Sequence, residues 1–366
     1  MQVILSGEKA YQQIESLLTE KGVKRVMLVC DPYFVGSQVM KYLQEMAVEL
    51  TVFSGFSPNP KYEEAEQGLN LFHANGCEAV ISAGGGSAMD VAKGIKLFCK
   101  SDLSACPIGK PYADTGVMHI AIPTTAGTGS ESTRHAVLYL NGVKQSISHP
   151  SIVPDVAVLE PTLLKTLPVY QRKCTLMDAF CQAIESFWSV SSTDESRGYS
   201  EEALKALVPV MDRYVSGESD TETDFAVMKA ANLAGRAINI TATTAAHAMS
   251  YKLSSLYRLP HGHAVALSMP HLWRYFAETD ACLDSRGRDF LNARLGELCR
   301  LLGVRDCSAA ADFFDEVLKR YELAAPHITD EERAVLVAAV NPERLGNFPV
   351  PLTAEKIDAI YRAISC

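Results

Sequence analysis

The segment Thr243–Pro270, TTAAHAMSYKLSSLYRLPHGHAVALSMP, sets His247, His261 and His263 among apolar residues in the interior of the chain. Three of the nine histidines fall within 17 positions. Neutral imidazole is the commonest protein metal ligand and also titrates near neutrality. Such a set serves either as metal ligands or as histidines satisfied inside a helical core, and other ligands elsewhere decide between the two. One stands in Thr175–Ser189, TLMDAFCQAIESFWS, where Asp178 lies among Leu176, Met177, Ala179 and Phe180. An ionised carboxylate in apolar company needs a cation or strong donors. Gln182, four residues on, shares its helix face. Asp178, His247 and His261 offer one oxygen and two nitrogens, a set suited to a divalent transition metal with open positions, and Gln182 adds a weaker amide oxygen.

A second chemistry is written in glycine. Gly84-Gly85-Gly86-Ser87 stands between a strand and a helix, with Asp90 and Lys93 following about one turn apart. Glycines let a backbone approach an anion, and a helix N-terminus offers free N–H groups and the positive dipole end. GGGS on its own serves equally as a plain tight turn, and it is not the G-x-G-x-x-G fingerprint. The turn Pro123–Glu131, PTTAGTGSE, is more specific: the hydroxyls of Thr124, Thr125, Thr128 and Ser130 beside two glycines suit a diphosphate or ribose. Asp31 closes the run Val26–Cys30. A carboxylate there accepts from ribose hydroxyls and repels a 2′-phosphate, favouring NAD(H) over NADP(H). A turn-forming Asp before Pro32 is the equal alternative.

The elements that must position these residues change in kind along the chain. Val26–Cys30, Leu50–Phe53, Ala79–Ser82 and Ile120–Pro123 read as short strands, and Tyr62–Ala74 and Ser87–Phe98 as helices. Strand–helix alternation of this length implies a parallel sheet covered by helices. After about Pro161 helical periodicity dominates: Tyr170–Val190, Ser200–Tyr214, Ala226–Ala237, Ala245–Tyr257, Asp289–Leu302, Ala309–Tyr321 and Ala354–Ile364. The polar stretch Val190–Glu222 reads as loops between helices. The expectation is a dinucleotide-binding α/β domain over residues 1–160 and an all-α metal- and substrate-binding domain over 161–366. The length of 366 residues suits two cores. A net charge of −9 argues against a nucleic-acid partner. No apolar run is long enough to span a membrane, so no membrane partner is expected. Ten cysteines without C-x-x-C spacing, and no secretory signal at the start, read as reduced thiols in a cytoplasmic protein.

Taken together, GGGSAMDVAKGIK at 84–96, PTTAGTGSE at 123–131, VPDVAVLEP at 153–161, MDAFCQAIE at 177–185 and HAMSY…LPHGHA at 247–264 resemble the iron-containing (group III) alcohol dehydrogenase family over nearly the whole length. The resemblance implies an N-terminal α/β nucleotide-binding domain, a helical C-terminal domain and a metal-dependent, NAD(P)-linked alcohol dehydrogenase or aldehyde reductase. It implies metal ligands at Asp178, His247 and His261, with Fe2+ as the expected ion and Mn2+ or Zn2+ as substitutes. Gln182 stands where the family pattern has a histidine, and Tyr251 where members often carry another. Tyr251 donates a hydrogen bond or proton but is a poor base at neutrality. His263 is an extra histidine, either a proton relay or a support of the metal ligands. A homodimer is a further expectation from the family.

Lys252, Arg258 and Arg134 lie near this proposed chemistry in the sequence and favour an anionic substrate through charge-assisted hydrogen bonds. Each has solvent or the cofactor diphosphate as its alternative partner. HAMSYKLSSLY-x-LPHGHAVAL with DAFCQAIES is similar to the phosphonoacetaldehyde reductase branch of the family. That implies reduction of phosphonoacetaldehyde to 2-hydroxyethylphosphonate; the sulfonate analogue, sulfoacetaldehyde going to isethionate, and other short-chain alcohols are the alternatives. Two rivals complete the expectations: a dehydroquinate synthase-like lyase, and a non-catalytic NAD-binding protein.

Overall fold

The computed structural model describes residues 2–7, 9–101 and 106–365. The chain packs as two compact units, Met1–Thr166 and Leu167–Cys366.

In the first unit, strands and helices alternate as β1 (Val3–Ser6), α1 (Ala10–Glu20), β2 (Arg25–Cys30), α2 (Gln38–Glu45), β3 (Glu49–Phe53), α3 (Tyr62–Ala74), β4 (Ala79–Gly84), α4 (Gly86–Phe98) and β5 (Met118–Pro123). An antiparallel hairpin of β6 (His135–Leu140) and β7 (Val143–Ser148) follows, and then β8 (Val156–Leu159). The six other strands form one parallel sheet in the order β1-β8-β5-β4-β2-β3. The apolar runs in β2, β4 and β5 follow from burial of both sheet faces. Side chains alternate as strands require: Val26, Leu28 and Cys30 join the core under α1 and α2, while Met27 and Val29 join the core under α3, α4 and the hairpin. The chain runs from β2 outward to β3, then returns to the other side of β2 as β4. The carboxyl ends of β2 and β4 therefore flank a topological switch point, the place where open parallel sheets bind ligands.

The second unit contains α5 (Val169–Trp188), α6 (Asp194–Leu207), α7 (Met211–Val215), α8 (Thr221–Thr241), α9 (Ala245–Tyr257), α10 (His261–Ala266), α11 (Met269–Glu278), α12 (Arg288–Leu302), α13 (Cys307–Arg320), α14 (Asp330–Ala338), α15 (Pro342–Leu345) and α16 (Ala354–Ile364). No strand occurs among its described residues. The expected α/β and all-α classes thus hold. α5 is the central helix, buried at every residue from Cys174 to Trp188. A helix buried on all sides must satisfy its polar groups internally, and Thr175, Asp178, Gln182, Glu185 and Ser186 are the groups concerned.

Several boundaries differ from the sequence expectations. The polar stretch after Val190 is largely helix: α6 begins at Asp194, not Ser200. Its polarity is that of a helix start, with Thr193 accepting from the Ser196 N–H and Ser196 Oγ accepting from the Thr193 N–H. The expected helix Ser200–Tyr214 is two helices, separated around Pro209, which has no N–H for a helical bond. α8 reaches beyond Ala226–Ala237 at both ends, and Asp220 caps it by accepting from Thr223 N–H at 2.8 Å. α1, α2, α11, α14 and the β6–β7 hairpin have no counterpart in the sequence reading. No helix among the described residues is long and apolar enough to cross a membrane.

Candidate nucleotide turn and metal centre

At the switch point, Asp31 reaches from the end of β2 to the glycine turn after β4, and its Oδ2 accepts the Gly85 N–H at 3.2 Å. Burial pushes the Asp31 carboxyl up, with the Gly85 N–H opposing. Gly84 is required by this approach: a Cβ there would sit 2.5 Å from Asp31 Oδ2 and 2.6 Å from Ala88 Cβ. Gly86 is the first residue of α4, and Gly85 caps it without a side-chain bond, so the first N–H groups of the helix carry no side-chain partner. A Cβ on Gly85 or Gly86 would lie 3.6 Å from Thr125 or 3.4 Å from Thr128, which places the second turn directly beside the first. Thr124 N–H donates to Gly84 O at 3.0 Å. Ser87, Thr124, Thr125 and Thr128 are half-buried.

Ser130 and Asp90 are placed differently. Lys93, fully buried, donates to Ser130 O at 2.7 Å, Ser130 Oγ at 2.9 Å, Thr133 Oγ1 at 3.1 Å and His135 O at 2.7 Å. Ser130 thereby ties the second turn to α4 from within. Burial raises the carboxyl of Asp90, with Lys93 opposing, and lowers the ammonium of Lys93, with Asp90 opposing. Sequence reasoning placed Lys93 only as a helix residue; its anchoring of the turn depends on residues about forty positions away.

In the second unit, Asp178, His247 and His261 converge, each with a ligand atom within 4.8 Å of the others. Asp178 Oδ1 lies 3.2 Å from His247 Nε2 and 3.9 Å from His261 Nε2. Gln182 Nε2 donates to the same Oδ1 at 3.1 Å. Burial opposes the charge on Asp178, but His261, His247 and Gln182 together hold its carboxyl below the usual range.

Glu185 completes the arrangement and was not singled out from the sequence. It lies seven residues after Asp178, on the same stripe of α5, and is fully buried. Its Oε2 pairs with His247 Nδ1. Its Oε1 accepts from Thr244 Oγ1 at 2.6 Å, Ala246 N–H at 2.9 Å and Thr244 N–H at 3.1 Å, all at the start of α9. A carboxylate at a helix N-terminus is stabilised by those donors. It fixes the proton on Nδ1 and turns Nε2 toward Asp178, the orientation a metal ligand needs. Despite burial, Glu185 and Asp178 push His247 up to about 9.

The chain enters α9 through Ala242 at φ 57° and ψ −179°, a region nearly reserved for glycine. Ala242 N–H donates to Ile238 O at 2.8 Å, and Thr241 Oγ1 donates to Ala242 O at 2.7 Å. These bonds hold the bend that delivers Thr244 to Glu185. Gly262 plays a comparable part for α10. A Cβ there would fall 2.0 Å from Cys174 O and 2.8 Å from Asp178 Cβ, so α10 rests on the backbone of α5 beside Asp178. Gly262 thus sets His261 over the carboxylate.

The structure does not bring His263 into this group. It is buried on another side of α10, with Nδ1 2.9 Å from Tyr170 Oη and Nε2 3.1 Å from Ala324 O. Burial lowers its pKa. Tyr251 does join the group, its ring stacked on His261 with centroids 5.7 Å apart and planes 5° apart. Burial raises the Tyr251 phenol, with Arg344 opposing. Lys252 is half-buried on α9, Arg258 is exposed at its end with φ 55°, and Arg134 is half-buried before β6 in the first unit. Arg344 was missed: its guanidinium lies 5.6 Å from the Tyr251 ring centroid.

Comparison with known proteins places the chain in a family. Residues 2–161 match the family model described as iron-containing alcohol dehydrogenase, and residues 173–365 match the C-terminal model of the same family. An NAD-dependent methanol dehydrogenase of Bacillus methanolicus is 28% identical over 86% of this chain and 83% of its own length. A phosphonoacetaldehyde reductase of Streptomyces viridochromogenes is 33% identical over 64% of this chain and 62% of its own. The crystal structure of sulfoacetaldehyde reductase from Bifidobacterium kashiwanohense in complex with NAD+ superposes with a TM-score of 0.90 at 30% identity, covering 100% of this chain and 97% of that one. The chain belongs to the iron-containing alcohol dehydrogenase family and is an oxidoreductase of the alcohol–aldehyde class.

Proposed function

We propose that this protein reduces a small anionic aldehyde to its alcohol with NADH, phosphonoacetaldehyde being the first candidate and sulfoacetaldehyde the second. The observation that carries the reading is the Asp178–His247–His261 group, buried at Asp178 and His247 and half-exposed at His261, with Glu185 holding His247 in the metal-binding tautomer. One carboxylate oxygen and two imidazole nitrogens fit a divalent first-row ion; Fe2+ is the family's metal, and Mn2+ and Zn2+ suit the same donors. When bound, the metal supplies Lewis-acid polarisation of a carbonyl oxygen, and NADH supplies the hydride.

The protein's own residues do the rest. Asp178, His247 and His261 present their ligand atoms toward a common point. Gln182 orients the Asp178 carboxylate, and a half-turn of its amide would direct its oxygen to the same point. Tyr251 keeps its proton at neutral pH and offers a hydrogen bond beside His261. Gly86 and Ser87 offer N–H groups to a diphosphate at the start of α4, Gly84 and Gly85 shape the turn that leads into it, and the threonines of the second turn offer hydroxyls. Asp31 offers a carboxylate oxygen to a ribose and disfavours a 2′-phosphate, which selects NADH. The names of the phosphonoacetaldehyde and sulfoacetaldehyde reductases among the relatives support the choice of aldehyde.

The test is NADH oxidation against phosphonoacetaldehyde, sulfoacetaldehyde, succinic semialdehyde and uncharged aldehydes, with Fe2+, Mn2+ or Zn2+ restored to chelated protein. Net NADH consumption distinguishes a reductase from a lyase that uses the nucleotide transiently. Asp178→Ala and His247→Ala should each lower kcat by at least a thousandfold while NADH binding, read by fluorescence, persists. Full turnover by either variant, or by thoroughly chelated protein, overturns the metal assignment.

A further inference from the structure

We propose that Arg344 is the residue that recognises the charged end of the substrate, and that the substrate class is a short aldehyde bearing a tetrahedral oxyanion. The inference rests on the reductase reading above and adds a specificity determinant to it.

Arg344 lies on α15, about a hundred positions from the histidine segment, and its Nη1 donates to Thr243 Oγ1 at 2.5 Å. Its guanidinium stands 5.6 Å from the Tyr251 ring centroid, and the Tyr251 ring stacks on His261. Guanidinium, phenol and imidazole thus form a continuous series that ends at a candidate metal ligand. Several arginines of this unit are paired with carboxylates, among them Arg172 with Asp224, Arg286 with Asp284 and Arg333 with Asp358. Among the described residues, no carboxylate forms an ion pair with Arg344.

Two physical consequences follow. Thr243 takes one of five N–H groups and the guanidinium lies over the Tyr251 ring, so the fork is held in place before a ligand arrives. The guanidinium carries a full positive charge with no ion-paired carboxylate among the described residues, and an anion lying against it would supply that partner. A planar fork matches two oxygens of a phosphonate or sulfonate. Lys252 is half-buried and Arg258 exposed at the end of α9, and among the described residues neither makes a cation–ring contact with Tyr251 or His261. The bland alternative is that Arg344 only clamps Thr243 and so steadies the bend before α9.

The experiment compares wild type, Arg344→Met and Arg344→Lys with three aldehydes: phosphonoacetaldehyde, sulfoacetaldehyde and uncharged propionaldehyde. The reading is the ratio of kcat/KM for each anionic aldehyde to that for propionaldehyde, which cancels a general loss of activity. Arg344→Met should lower the ratio about tenfold to a hundredfold, chiefly through KM, and Arg344→Lys should restore part of it. A larger loss for the phosphonate than the sulfonate assigns the doubly charged tail; the reverse order assigns the sulfonate. An unchanged ratio means a clamp alone and overturns the proposal. Calorimetric titration with methylphosphonate gives a second readout that needs no turnover. If no aldehyde is reduced, the reductase reading falls; binding of methylphosphonate by wild type and its loss in Arg344→Met then still supports the anion site, and equal or absent binding overturns it.

Discussion

His247 is poised between two carboxylates, and that placement governs how the centre takes a metal. Glu185 on Nδ1 and Asp178 near Nε2 keep the ring protonated up to about pH 9 in the metal-free protein. A metal needs the Nε2 lone pair, so loading must expel a proton. Metal binding at pH 7 should release close to one proton from this ring, and apparent affinity should climb with pH until about 9. Calorimetry in buffers of different ionisation enthalpy measures the release; heats independent of buffer contradict it. Glu185 also sets the tautomer once the metal is present. Glu185→Gln keeps the size and an acceptor for Thr244 but removes the anion. It should weaken metal binding about tenfold to a hundredfold in a chelator competition, and unchanged affinity would exclude the orienting role. His263, two residues from a candidate ligand, has both ring nitrogens engaged by Tyr170 and Ala324, which leaves it to support packing.

At the scale of elements, the centre is assembled where α9 and α10 meet α5. α9 brings its N-terminal donors onto Glu185, and α10 brings its backbone against Cys174 and Asp178 through Gly262. The contact at Gly262 is with a carbonyl and a main-chain nitrogen, which do not yield as a flexible side chain does. Gly262→Ala should therefore push α10 away from α5, costing about 1–3 kcal/mol in stability and displacing His261. Chemical denaturation and metal titration of the same variant check both parts; wild-type values in both would refute the close approach. In the first unit, the corresponding device is Gly84, where Asp31 and Ala88 leave no room for a Cβ.

Over the whole molecule, two buried histidines bend the pH–stability curve in opposite directions. His119, inside β5 with Nε2 2.8 Å from Ser82 Oγ, is held well below its usual value by burial, aided by Lys96 and Lys93. Below about pH 6.5 the unfolded chain binds a proton there that the folded chain refuses, so stability falls with falling pH. His247 is raised, so its contribution is complete below about 6.5 and is lost as pH climbs through about 9. For these two groups the metal-free protein is most stable near neutrality. Denaturant midpoints between pH 5 and 9.5 should show both limbs. Replacing His119 with Val and Ser82 with Ala together, which leaves no orphaned partner, should flatten the acid limb; an acid limb of unchanged slope would assign it to other groups.

The parallel sheet, the helical second half and the glycine turns were legible in the sequence. Each rests on a local property: apolar runs of strand length, helical periodicity, or the backbone freedom of glycine. The capped start of α6 was not, because Thr193 and Ser196 look like loop residues until they bond each other's backbone. The grouping of Asp178, His247 and His261 was legible because a carboxylate and imidazoles in apolar surroundings demand partners. What only the tertiary structure decided is which groups become those partners. Glu185 meets His247 across 62 positions and Arg344 meets Thr243 across 101, while His263 turns away from its neighbour His261. Residue type sets what a side chain can bond, but tautomer, charge state and reach are properties of the packed surroundings, which bring distant segments within hydrogen-bond range and exclude water from between them.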